Sequence, residues 1–443
     1  MHDSRYDSRL LRRQIVLLAL LISGYTGFYL CRSNFSTTLP LLQGHLVAQG
    51  FDASDAKERL GLLASLGTLA YALGKFLSGG LADRIGGRRA LLGGGFGSVL
   101  FTLLFAISGT LPWFTVAWFA NRLVQSMGWP GMVKLCGRWF SFARYGTVMG
   151  LVSLSFLFGD SIARLLLGWM IAVGLSWSGV FTASAGVLAA LLLICCFGVC
   201  ETPAELGLQE PATHSLSVYG AEGEKGGIES WRALLRPLLR SPSFRYVCLL
   251  SLGCTLLREA FTTWTPTYFA EATDLSPAQA ATASALFPFC GGVSVLAVGF
   301  GSDRFGPRGR AAVIGGGLSL CGIALLIMGA AVYGESSVAP ILLVGLVAVF
   351  LIGPYSYLAG ALSLDLGGKR GAATACGIID GVGYLGAVLA GAPIRRLSLD
   401  LSWRGVFCVL AGVALLSGLV GFLFWVEQRR LGSTVHPCKS STS

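Results

Sequence analysis

Twelve stretches of this 443-residue chain stay apolar for about twenty residues or more, and that decides the class of fold. They fall near 14–42, 60–80, 90–109, 112–137, 145–173, 178–200, 244–270, 277–300, 311–333, 338–364, 371–393 and 402–426. Only 12% of residues are charged, about half the share of a soluble domain, and the mean hydropathy is +0.69. A water-facing globule cannot enclose that much apolar chain, so a soluble enzyme, a nucleic-acid binder and a disordered hub are excluded. Hydrocarbon offers backbone groups no partner, so each stretch must be a helix. The first is too long for a cleavable signal, lacks a small-residue cleavage site, and reads as a retained span.

The formal charge of +11 reports topology. With the N-terminus placed in the cytoplasm, 22 basic residues fall in inward segments, 5 in outward loops and 6 in the spans. Positive-inside insertion produces this bias, which puts both termini in the cytoplasm. Eleven of twelve cysteines lie in or beside apolar runs without a CxxC pair, and read as small hydrophobes.

The chain is internally duplicated. Gly79-Gly80-Leu81-Ala82-Asp83-Arg84-Ile85-Gly86-Gly87-Arg88 and Gly299-Phe300-Gly301-Ser302-Asp303-Arg304-Phe305-Gly306-Pro307-Arg308 both read G-x-x-x-D-R-x-G-x-R, 220 residues apart. Leu175-Ser176-Trp177 and Leu401-Ser402-Trp403, each followed by x-Gly-Val-Phe, repeat at 226. The expected architecture is two pseudo-symmetric six-helix bundles, residues 1–200 and 244–443, joined by a cytoplasmic linker at 201–243. Repeated halves place a binding site near the bilayer midplane and point to alternating access by rocking.

Ionisable residues inside spans are functional candidates because burying them is costly. Here they are Arg32, Lys75, Arg122, Lys134, Arg164 and Arg258 against Asp160, Glu259 and Asp380. That excess of positive charge calls for an anionic solute. Arg32 and Arg258 are 226 residues apart and so occupy matching positions in the first and seventh spans. Helical spacing puts Tyr25, Tyr29 and Arg32 on one face, Tyr71 with Lys75, and Asp380 with Tyr384. Two guanidinium forks can hold a phosphate with tyrosine hydroxyls completing its shell. Pairing of Arg258 with its neighbour Glu259 looks awkward, because adjacent helical residues point about 100° apart. Asp160 and Arg164, at i and i+4, are expected to neutralise each other. Lys134 either faces the cavity or reaches to water, Arg122 faces either an acid or the cavity, and Asp380 is either a cation's partner or a proton site. The four histidines, His2, His45, His214 and His436, all lie outside the spans, so a histidine relay within the membrane is excluded.

The G-x-x-x-D-R-x-G-x-R loops resemble the signature of the major facilitator superfamily. That implies a gating latch built on Asp83, Arg84, Arg88, Asp303, Arg304 and Arg308, with the aspartates pairing to arginines of the neighbouring helix. Within that superfamily the chain looks like the organophosphate:phosphate antiporters, which include glycerol-3-phosphate and hexose-phosphate transporters and the animal sugar-phosphate exchangers. Gly24-Tyr25-Thr26-Gly27-Phe28-Tyr29-Leu30-Cys31-Arg32, Gln125-Ser126-Met127-Gly128-Trp129-Pro130, Leu256-Leu257-Arg258, Glu201-Thr202-Pro203 and Ile378-Ile379-Asp380-Gly381 carry the likeness. It implies that Arg32 and Arg258 grip phosphate, that Lys75, Tyr25, Tyr29 and Tyr71 support them, and that Lys134 stands where a basic residue occurs. Ser155 falls where the family commonly has a histidine; a serine can hydrogen-bond a phosphate oxygen but cannot titrate.

The expected activity is exchange of an organic phosphate for inorganic phosphate, without cofactor, metal or nucleic acid, by a monomer in the lipid bilayer of a bacterial inner membrane. The alternatives are proton-coupled transport of another organic anion, with Asp380 as proton site, and a transporter-like sensor of sugar phosphate. No P-loop and no nucleophile–base cluster lies in the spans, so ATP drive and an enzyme are not expected.

Overall fold

The computed structural model describes residues 4–211, 217–220, 230–330 and 338–434, and every regular element among them is helical. Fifteen α-helices follow in order: α1 (Ser4–Thr37), α2 (Leu39–Ala48), α3 (Ala53–Ile85), α4 (Gly87–Ile107), α5 (Leu111–Gln125), α6 (Gly128–Trp139), α7 (Tyr145–Ala172), α8 (Trp177–Gly198), α9 (Trp231–Arg240), α10 (Pro242–Ala272), α11 (Pro277–Ser284), α12 (Leu286–Ala330), α13 (Val338–Leu358), α14 (Ala361–Leu389) and α15 (Ala392–Thr434).

Among the described residues nine helical segments are long and apolar enough to cross a bilayer by length and composition. The other crossings are present but interrupted or polar. Val338–Leu389 is 52 residues long and holds two spans, α13 and α14, with non-helical backbone at Gly368 and Gly371 just inside α14. The fourth span is divided into α5 and α6 because Pro130 cannot donate to the carbonyl of Ser126. That carbonyl instead accepts the Ser78 hydroxyl at 3.1 Å. The seventh span, α10, is a full 31-residue helix whose Arg258 and Glu259 lower its apolar character. The chain is an all-α, twelve-span membrane protein.

The chain forms two compact units, Met1–Leu235 with Ala359–Gly381, and Arg236–Leu358 with Val382–Ser443. In the first, α1 packs on α7 and α8, α3 on α5, and α4 on α5, α6 and α8. In the second, α12 packs on α13 and α15, and α10 on α13 and α15. An aromatic cluster closes the first unit at the C-terminal end of α4: Phe105 stacks on Phe114 at 4.5 Å and on Phe181 at 4.4 Å between centroids. Asp52 starts α3 as its N-cap, accepting from the Ser54 amide and hydroxyl, and those bonds hold its carboxyl below the usual range.

Segment 359–381 belongs to the first unit through backbone-to-backbone packing on α3. A Cβ on Gly377 would lie 2.9 Å from the Cα of Gly79 and strike the carbonyl of Lys75. We expect Gly377→Val to force these helices apart at a cost of about 1–3 kcal/mol, read as a lower melting temperature of the purified protein. An unchanged melting temperature would contradict this crossing.

Candidate anion site

The first unit gathers its buried charge around one ring. Tyr71 and Lys75 lie one turn apart on α3, both buried. Arg32 of α1 places its guanidinium carbon 4.6 Å from the Tyr71 ring centroid, Arg122 of α5 places its own at 4.7 Å, and the Lys75 ammonium lies at 5.0 Å. The electron-rich faces of tyrosine favour such cations. Arg32 also lies 4.7 Å from the Tyr29 ring, and Tyr29 meets Tyr25 edge-on at 5.8 Å. Tyr25 packs on Trp129, whose indole N–H donates to the Ala359 carbonyl at 3.0 Å.

Gln125 sets the spacing of the two guanidinium groups. Its Oε1 accepts from Arg32 Nε and Arg122 Nη1, both at 3.3 Å. Its amide nitrogen faces the Asn121 side chain at 2.7 Å, the Ser98 hydroxyl at 3.0 Å and the Cys31 carbonyl at 3.1 Å. Asn121 in turn donates to the Thr102 hydroxyl at 2.7 Å. This network across α1, α4 and α5 orients the amide so that its oxygen points at the arginines.

Asp380 contacts Lys75 at 2.6 Å. Their side chains are 12% and 2% exposed, so this pair is largely closed from solvent. The four ionisable groups around Tyr71, namely Arg32, Lys75, Arg122 and Asp380, carry an excess of two positive charges. Of the sequence-predicted site residues, Arg32, Lys75, Tyr25, Tyr29, Tyr71 and Asp380 belong to this assembly. Arg122 joins it although the sequence left it between an acid and a cavity. Its i, i+3 relation to Gln125, itself in a flagged motif, was the available signal.

Other expectations change. Lys134 does not reach toward solvent: its buried ammonium donates to Asp83 at 2.7 Å and to the Lys369 and Arg370 carbonyls at 2.6 and 3.2 Å. These three contacts use its three donors, which ties it to Asp83 and the 369–370 backbone. Ser155 is buried and donates to the Val152 carbonyl at 2.5 Å, directing its hydroxyl proton to its own helix. Arg258 does pair with Glu259, because its long side chain spans the 100° offset, and its guanidinium carbon lies 4.9 Å from the Tyr355 ring. Both Arg258 and Tyr384 lie in the second unit. Asp160 accepts from Arg164 at 2.8 Å and from the Ser33 hydroxyl at 2.5 Å.

At the end of α3, Asp83 pairs with Lys134, where an arginine of the neighbouring helix was the expected partner. Its carboxylate accepts from the Thr374 amide and hydroxyl, both at 2.7 Å, and from the Ala373 amide at 3.4 Å. These residues restart the helix after Gly371, so Asp83 caps an N-terminus on another segment. Glu201 does the same for α4, accepting from the Gly87 and Arg88 amides at 2.7 and 2.8 Å. The Gly86 φ of 96° makes the turn that presents them. Arg88 holds the end of α8 through the Cys196 carbonyl at 2.7 Å, and Arg84 lies 4.3 Å from the Trp231 ring.

The linker fastens the same end. Lys369 donates to Glu210 at 3.2 Å and to the Pro211 carbonyl at 2.5 Å. Tyr219 packs on Gly371 and donates to the Leu234 carbonyl at 2.7 Å. Burial and the nearby Asp83 charge push its phenol above the ordinary range, so it remains a donor. In the second unit Asp303 accepts from Arg310 at 3.3 Å. Arg304 is exposed, and the Arg308 side chain lies outside the described residues.

The family model "Major Facilitator Superfamily" matches residues 21–391. A glycerol-3-phosphate transporter of Bacillus subtilis is 28% identical over 440 residues, 97% of this chain and 96% of that protein. The mouse glucose-6-phosphate exchanger SLC37A2 is 27% identical over 415 residues, 84% of this chain and 80% of its own. The Escherichia coli membrane sensor protein UhpC is 28% identical over 428 residues, 94% and 92% of the two chains. The solved Escherichia coli fucose:proton symporter FucP superposes with a TM-score of 0.71 at 15% identity, covering 93% of this chain and 98% of that one. This last likeness concerns the fold alone.

Proposed function

Because the chain belongs to the major facilitator superfamily, and so is a membrane transporter and not an enzyme, we propose that it exchanges a small organic phosphate for inorganic phosphate by alternating access. The observation that carries this reading is the convergence of Arg32, Lys75 and Arg122 on Tyr71 with Asp380 as their carboxylate. Arg32 supplies a planar fork matched to phosphate oxygens. Arg258, its repeat-equivalent 226 residues on, is the proposed counterpart from the second half. An excess of positive charge in a low-dielectric seam opposes closure when no anion is bound, and a phosphate dianion removes that penalty. Reorientation then depends on occupancy, which makes the process an exchange. The positive-inside distribution supports placing the linker and both termini in the cytoplasm, and the bacterial relatives support an inner membrane.

The test is labelled-phosphate uptake into proteoliposomes with and without internal phosphate. Uptake should require internal phosphate, and equal rates in empty vesicles would sink obligatory exchange. Arg32→Lys should reduce uptake about tenfold, because a point charge replaces a bidentate fork. The relation to UhpC keeps a sensor as the competing reading, and tight binding of a sugar phosphate without flux would favour it. Asp380 is engaged by Lys75, which weighs against it as the site of proton coupling.

A further inference from the structure

We propose that Glu259 is a resident competitor for the substrate: its carboxylate holds the Arg258 guanidinium until a phosphate displaces it, and this competition sets the affinity. This deepens the phosphate reading above and rests on it. Arg258 and Glu259 are neighbours on α10, joined through Arg258 Nη2 and Glu259 Oε1. Both partners come from one helix, so the pair ties no two elements together. The Tyr355 ring of α13 lies 4.9 Å from the Arg258 guanidinium carbon and supports it whether or not the carboxylate is in place.

The side chains of the pair are 18% and 28% exposed, against 2% and 12% for Lys75 and Asp380. Thr262 and Thr263 continue the same side of α10 and are exposed, while Leu257, Ala260 and Phe261 are buried on the other. Within a span, a stripe of charged and hydroxyl side chains faces water and not acyl chains. An ion pair partly open to water is weakly held, and this one must also bend across the offset of about 100° between adjacent positions. A phosphate dianion brings two charges and three acceptor oxygens, where the carboxylate brings one charge and two oxygens. Phosphate therefore replaces Glu259 at the guanidinium, and the carboxylate turns to the water along its own helix face.

The test is binding of inorganic phosphate to the detergent-purified protein, with exchange in proteoliposomes measured in parallel. In Glu259→Gln the competitor loses its charge at nearly constant shape. Phosphate should bind about five- to tenfold more tightly, and exchange at saturating phosphate should slow a few-fold because release is slower. A carboxylate that only holds Arg258 in position predicts the opposite sign, weaker binding in Glu259→Gln. The displacement itself is read by infrared difference spectra with and without phosphate. A carboxylate stretching band should change on binding in wild type and be missing from the Glu259→Gln spectrum.

Weaker or unaltered phosphate binding in Glu259→Gln, or a carboxylate band retained there, overturns the competitor while phosphate exchange stands. If Glu259→Gln does not fold, Glu259→Asp keeps the charge and decides: the band should persist at a shifted frequency, and a band that is absent or unshifted overturns the proposal. Wild-type protein that neither binds nor exchanges phosphate removes the underlying reading and the competitor together.

Discussion

Asp83→Ala should open the latch at the end of α3 and expose Cys376, which is fully buried on α14 two residues beyond Thr374. The substitution removes an ion pair whose side chains are 0% and 4% exposed, leaving the Lys134 ammonium buried without its carboxylate. It also takes the acceptor from the Thr374 amide and hydroxyl and the Ala373 amide, where a helix begins. Breaking a buried pair from one side costs about 3–5 kcal/mol, a shift of roughly a hundredfold to a few thousandfold in the closed-to-open ratio. Alkylation of Cys376, followed by mass spectrometry of the peptide that carries it, should accelerate accordingly. Asp83→Asn keeps an acceptor and should fall between wild type and Asp83→Ala. In Asp83→Ala/Lys134→Met the stranded cation is gone, so Cys376 should react more slowly than in Asp83→Ala alone. Equal labelling of wild type and Asp83→Ala would show that the pair does not hold this end closed.

The contrast between Lys134 and Lys75 shows where sequence reasoning works and where it stops. Helical spacing places Tyr71 and Lys75 on one face, and hydropathy places both within a span, so their participation follows from one segment alone. The fate of Lys134 depends on carbonyls 235 and 236 residues away, beside the non-helical backbone at Gly368 and Gly371, which no periodicity in the fourth span encodes. Arg122 is a similar case. Its neighbours arrive from α1 and α3, and packing of α5 on α3, with Gln125 reaching Arg32 of α1, makes it a member of the cluster. The fold was legible because hydrocarbon imposes a simple rule on backbone polar groups. The charge cluster was half legible because electrostatics acts between segments. Glu201 illustrates both sides: its motif was visible, but its task of capping α4 required the two segments to be brought together.

The Lys75–Asp380 pair provides the second large effect, and its sign distinguishes a structural pair from a working one. Lys75→Met leaves a mostly buried carboxylate beside the proposed phosphate site and lowers the positive excess of the cluster from two to one. Both changes repel an anion, and the half-saturation concentration for phosphate should rise roughly a hundredfold. Asp380→Asn raises the excess to three, so binding should tighten while exchange slows because release becomes rate-limiting. Lys75→Met/Asp380→Asn restores the excess to two and removes the stranded carboxylate; it should bind phosphate within about tenfold of wild type. Phosphate-dependent exchange in proteoliposomes, with binding followed separately on purified protein, reads all three variants. If the double variant binds no better than Lys75→Met, then the ammonium itself is indispensable at the Tyr71 ring, and charge balance does not govern the site. If it recovers, charge balance governs the site, and the function of Asp380 is to hold Lys75 neutralised.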